Sequence, residues 1–120
     1  MQYMLLIHVD EAAMAAKAPA AAPDKAYAMA QPFAAYNEAL KKAGAWVAGD
    51  RLAPSSSTTL VSVRGDRTEV LDGPFADTKE QLGGYYIIEA EDLDAAIRWA
   101  ARCPAAQTGP IEVRPIWKAQ

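Results

Sequence analysis

The sequence predicts an α+β domain in which two main helices lie on one face of an antiparallel sheet and a β-hairpin is added. Three observations carry this. The strands and helices alternate along the chain as β-α-β-hairpin-β-α-β. Only two stretches, ending near Gly44 and Pro104, show helical spacing of apolar residues. The strands at Tyr3 to Val9 and Tyr85 to Ala90 are apolar on both alternating sets, so both of their faces need cover.

The first strand places Tyr3, Leu5, Ile7 and Val9 on one face, with Met4 and Leu6 on the other, and Asp10-Glu11 ends it. The Ala-rich segment from Ala12 to Ala22 carries no pattern that fixes its structure, since alanine favours helix but offers little surface to anchor it. From Pro23 onward Met29, Phe33, Tyr36, Leu40 and Ala43 share a helical face. Pro32 is expected to bend this helix or start its main part, and Gly44 to cap it. Trp46 to Ala48 runs on through Gly49-Asp50-Arg51-Leu52 as a short strand and turn, followed by the polar connector Pro54 to Ser57.

Thr58 to Arg64 and Thr68 to Leu71 flank Gly65-Asp66 and read as a hairpin. Asp72-Gly73-Pro74 stops the second of these strands, because proline removes a ladder donor. Asp77-Thr78 and Glu80-Gln81 stand at capping-box spacing and suit one helical turn, after which Gly83-Gly84 releases the chain into the strand from Tyr85. Asp92 is placed to cap a helix over Leu93 to Arg102 with the stripe Leu93, Ala96, Ile97 and Ala100, and Pro104 stops it. Ile111 to Ile116 is the last strand. This order contains the split βαβ arrangement of a ferredoxin-like domain with one strand pair added.

A chain of 120 residues that is 52% hydrophobic can build one compact core, so one domain over residues 1–120 is expected. The net charge of −3 and the lack of a basic run argue against nucleic acid and anionic membranes as partners. No stretch reaches the length of a membrane span, and the start of the chain reads as a strand rather than a signal peptide. One cysteine and one histidine leave no intrachain disulfide and no zinc site of ordinary composition. No GxGxxG or P-loop pattern occurs, so neither a metal nor a cofactor is expected, and the single thiol suits the cytoplasm.

Two helices cover one sheet face only. The expected cover for the other is a second copy of the chain, making a homodimer through the sheet face. Glu112 and Arg114 alternate with Ile111 and Val113 and so belong to that face. They either pair across the interface or leave Arg114 to hold a ligand carboxylate in its planar fork. His8 shares its strand face with Met4 and Leu6. It is a general-base candidate, because imidazole titrates near neutrality, or a hydrogen-bonded histidine at a strand end. Asp72 either closes its turn or points into a cleft as an acid, base or ligand anchor. Tyr86, with Tyr85, Trp46, Trp99 and Trp117, either lines an aromatic pocket or packs in the core.

The run DGPFADTKEQLGGYY from Asp72 to Tyr86, with MLLIH near the start, CP at Cys103-Pro104 and IEVRPI near the end, resembles the signature of the YCII-related family in its DGPF branch. That resemblance implies a ferredoxin-like domain of the dimeric α/β-barrel type that pairs through its sheets. Some relatives in the wider group resemble enzymes that use a histidine on the first long helix and an aspartate after the second helix. The matching positions here are Phe33 and Cys103, neither of which does that acid-base work, so catalysis would need a relocated site using His8 or Asp72. Three functions follow. The first is binding of a small polar or aromatic organic ligand in a cleft at the sheet edge. The second is a lyase or isomerase with His8 or Asp72 as acid-base. The third is a regulatory protein-interaction module.

Overall fold

The computed structural model of the chain describes residues 1–12, 23–72 and 80–118. Its elements are β1 (Gln2–Val9), α1 (Pro23–Lys42), β2 (Trp46–Arg51), β3 (Thr59–Arg64), β4 (Arg67–Asp72), β5 (Gln81–Glu89), α2 (Leu93–Arg102) and β6 (Ile111–Pro115). Four strands form an antiparallel sheet in the order β2-β5-β1-β6, which is the ferredoxin-like order. β3 and β4 form a separate two-stranded sheet, the expected hairpin, with Gly65 at φ 63° in its turn. Residues 13–22 of the Ala-rich segment and residues 73–79 of the DGPF turn lie outside the described residues.

The core forms where the strand period meets the helices. Tyr3, Leu5 and Ile7 of β1 and Tyr86 and Ile88 of β5 face Tyr36 and Leu40 of α1 and Ala96 and Ala100 of α2. Leu5, Leu40 and Ile88 are fully buried, and each such side chain contributes about 1.5–3 kcal/mol of transfer free energy. Aromatic edges lock the layer together: the Tyr36 ring meets Tyr86 at 5.3 Å and Trp99 at 6.1 Å, both T-shaped. The Tyr36 hydroxyl donates to the Trp99 carbonyl oxygen at 2.7 Å, and burial raises its pKa.

Local signals set the ends of α2. Asp92 is extended at φ −156°, and its Oδ1 accepts the Ala95 N–H at 2.9 Å, a cap worth about 1 kcal/mol. The buried stripe is turned from the expected one, however. Ala96 and Ala100 are buried with Trp99 beside them, whereas Leu93 and Ile97 are both exposed. Two alanines at a four-residue spacing let the helix backbone approach the sheet, and that close approach decides which face goes down.

β5 also begins earlier than the sequence suggests, at Gln81 rather than Tyr85, so Gln81 opens a strand instead of closing a helical turn. Gly83-Gly84 does not release the chain. A Cβ on Gly83 would lie 2.7 Å from Val9 Cγ2, and one on Gly84 would lie 3.2 Å from the Asp50 carbonyl oxygen. The two glycines let β5 run between β1 and β2 at close range, next to a register shift opposite Ile7 and His8. Among the described residues, no helix is long and apolar enough to cross a membrane.

Candidate functional site

β1 and β6 pair so that Leu6 faces Glu112 and Met4 faces Arg114. With strand period two, these residues and His8 project from the face opposite α1 and α2, as the alternation of apolar and charged residues in β6 predicts. There the structure joins three of the candidate residues. His8 Nε2 lies 3.1 Å from Glu112 Oε1, and Arg114 Nη2 donates to Glu112 Oε2. The Arg114 contact is an ion pair within the single chain, and the His8 contact is one when His8 is protonated.

One carboxylate therefore serves two nitrogen groups. The hydrogen bond from His8, and after it the positive charge and hydrogen bond of Arg114, hold the Glu112 carboxyl below the usual carboxylate range. An ionised carboxylate can only accept, so the hydrogen in the first contact sits on His8 Nε2. In the neutral ring Nδ1 then carries the free lone pair. Arg114 keeps most of its side chain exposed, at 71%, and a guanidinium has five N–H donors, so the bond to Glu112 leaves others directed outward.

Beside this charged row the open face is apolar. Met4 and Leu6 of β1 stand next to Ile87 and Tyr85 of β5, all half-buried, and Ala48 of β2 continues the patch. Its far side ends in a second polar pair, in which the Tyr85 hydroxyl donates to Asp50 Oδ2 at 3.1 Å. That bond to a carboxylate raises the Tyr85 pKa. Asp50 escapes a sequence reading, because the register shift in β2 between Trp46 and Ala48 must be known before its face can be assigned.

The other two candidates lie elsewhere. Tyr86 faces the helices. It is buried against Tyr36 and Trp46, its hydroxyl donates to Asn37 Oδ1 at 2.7 Å, and burial pushes its pKa up to about 12. Asp72 ends β4 in the separate hairpin, is exposed, and accepts from the Thr59 hydroxyl at 3.4 Å. Neither touches the row of His8, Glu112 and Arg114.

On the helix side, a shallow groove of about 520 Å³ is lined by Pro32, Phe33, Tyr36, Arg102, Pro104 and Thr108. Arg102 lies over the Trp99 ring at 4.4 Å. Cys103, immediately before Pro104, is buried, and burial raises its thiol pKa. The two positions matched to a histidine and an aspartate thus hold a ring in the groove wall and a buried neutral thiol. Among the described residues, no three His, Cys, Asp or Glu side chains gather into a metal-binding group.

A YCII-related domain model matches residues 1–120. An uncharacterised protein of Rhizobium meliloti (strain 1021) is 43% identical over 68 residues, a match that spans 55% of this chain and 55% of that relative. The chain thus covers about half the length of the curated relative that it matches.

Proposed function

Given that the chain belongs to the YCII-related family, we propose that it is a small cytoplasmic protein of one domain. In this reading it works as a homodimer and binds a small organic acid, polar or aromatic, in a cleft at the sheet edge. The observation that carries the reading is the row of His8, Glu112 and Arg114 beside the apolar patch of the open face. Glu112 orients the guanidinium, and the outward N–H groups of Arg114 then present a planar fork to a ligand carboxylate. Met4 and Leu6 lie directly alongside and take the apolar body of the ligand. A second copy over the same face would exclude water from the charged row and strengthen each contact.

The test is calorimetric titration with a panel of small aromatic and aliphatic carboxylates, on the unmodified chain and on Arg114→Gln. A hydrogen bond between charged groups is worth about 1.5–3 kcal/mol, so Arg114→Gln should weaken binding about 10- to 100-fold. Binding by the panel that survives Arg114→Gln undiminished would remove Arg114 from the site. No binding at all by the unmodified chain would remove the function.

One observation favours a second reading, acid-base catalysis by His8. The contact between its Nε2 and Glu112 orients the ring and leaves Nδ1 as the basic atom. On a confirmed substrate, this reading requires that His8→Ala abolish turnover while leaving substrate binding in place.

A further inference from the structure

The β3–β4 ribbon stands apart from the rest of the fold. Every residue of both strands is exposed. The register puts Val61, Val63 and Val70 on one face with Thr59, Thr68 and Asp72, and sends Ser62, Glu69, Arg64 and Arg67 to the other. The ribbon is therefore amphipathic, and its aliphatic face has no cover among the described residues: Val61, Val63 and Val70 are 63%, 66% and 60% exposed. Leu60 and Leu71, which pair on the other face near its base, are also open.

The root of the ribbon, by contrast, is tied down. Glu11 Oε1 accepts the Ser55 N–H at 2.8 Å and Glu11 Oε2 accepts the Ser55 hydroxyl at 2.6 Å, which fixes the turn that leads into β3. The Leu52 N–H donates to the Gly83 carbonyl oxygen at 2.9 Å and holds the entering chain against β5. The Cα radius of gyration is 16.6 Å, whereas a compact domain of this length has about 13.6 Å. The molecule is a slab of 50 × 46 × 19 Å. Such a ribbon, fixed at one end and uncovered along its length, has the form of an arm.

We propose that this arm lays its valine face on a second copy of the chain. The inference rests on the homodimer proposed above and adds a contact that the sheet face does not supply. An isolated two-stranded hairpin is marginal in water, so an apolar ribbon face needs a surface to pack on. The three valines of that face present on the order of 300 Å², the size of the largest apolar patch on a typical monomer. A stable interface removes about 800 Å² from each partner. The half-buried Met4, Leu6, Tyr85 and Ile87 of the open sheet face add to the ribbon toward that figure. Each copy offers one ribbon and one sheet face, so a two-fold arrangement covers all four surfaces without any other protein.

The experiment is sedimentation equilibrium on three forms: the unmodified chain, Val61→Thr with Val63→Thr and Val70→Thr, and Met4→Thr with Leu6→Thr. Threonine keeps the β-branched shape that suits a strand while removing the apolar surface. The triple variant should raise the dimer dissociation constant about tenfold or more, with its circular dichroism unchanged. Hydrogen exchange on the unmodified chain is the second readout: the ribbon amides should lose protection as the dimer is diluted, a result that does not depend on whether the variant folds. A dimer whose dissociation constant is unchanged in the triple variant, with ribbon protection independent of concentration, overturns the arm and leaves the sheet-face reading standing. A dimer that survives Met4→Thr with Leu6→Thr but not the triple variant supports the arm and overturns the sheet-face contact. A monomer in the unmodified chain overturns both.

Discussion

Gly109→Ala tests how the charged row is held in place. Gly109 follows the short 3-10 helix Pro104–Gln107 that comes after α2. A Cβ there would lie 2.7 Å from the His8 carbonyl oxygen, well inside contact distance, and the atom it meets is backbone. The clash is relieved only if β1 and the segment before β6 separate by several tenths of an ångström, which also stretches the His8 N–H bond to the Pro110 carbonyl oxygen, already 3.3 Å. Overpacking of this kind costs about 1–3 kcal/mol. Unfolding entropy near 2.1 cal/mol/K per residue gives about 0.25 kcal/mol/K for 120 residues, so Tm should fall by about 4–12 °C. Calorimetry measures this directly. Gly65→Ala is the comparison, because its φ of 63° strains alanine but nothing lies within 4 Å, so its cost stays near 1 kcal/mol and away from His8. A Tm for Gly109→Ala within about 2 °C of the unmodified chain would refute the close-approach argument.

Three further outcomes follow from single groups. The Glu112 carboxyl is held below its unfolded value, so its share of stability is complete above the ordinary carboxylate range and is lost as pH falls through the folded value. Urea unfolding of the unmodified chain and of Glu112→Gln between about pH 3 and pH 6 should show their difference shrinking toward acid. Tyr36→Phe leaves the Trp99 carbonyl oxygen without its 2.7 Å donor and should cost about 1 kcal/mol, read as a lower urea midpoint at unchanged slope. Cys103→Asp puts a carboxylate where a 1% exposed thiol sits; it should cost about 3 kcal/mol or more by thermal melting, with Cys103→Ser costing clearly less.

What the sequence made legible was local or periodic. The two-sided apolar strand at Tyr3 to Val9, the hairpin at Gly65-Asp66 and the Asp92 cap each depend on a few neighbouring residues, and each is present in the structure. The open face was legible too, because strand parity places Met4, Leu6, His8, Glu112 and Arg114 together once β1 and β6 are strands. Parity assigns a face only once the pairing is known. Tyr86 belongs with Leu5 and Gly49 on the helix side, away from Arg114. Gly83-Gly84 looked like an exit from a turn because what requires it, Val9 and Asp50, is distant in sequence. The contact between His8 and Glu112 spans 104 positions, and no local pattern encodes it. The turned stripe of α2 depends on how closely a helix can settle onto a sheet, a tertiary quantity that residue spacing alone does not carry.

The strand order has a kinetic consequence. β1 is central, yet its neighbours are β5 and β6, so Tyr3 waits for Ile88 on one side and Pro115 on the other. During synthesis the first strand leaves the ribosome apolar on both faces and has no sheet partner until most of the chain has followed. Contacts of such long range slow folding, and an apolar strand with two open edges is the kind of segment that chaperones and aggregates compete for. Without β6 that edge of β1 would stay open, a row of unpaired backbone groups on which a strand of another chain can add.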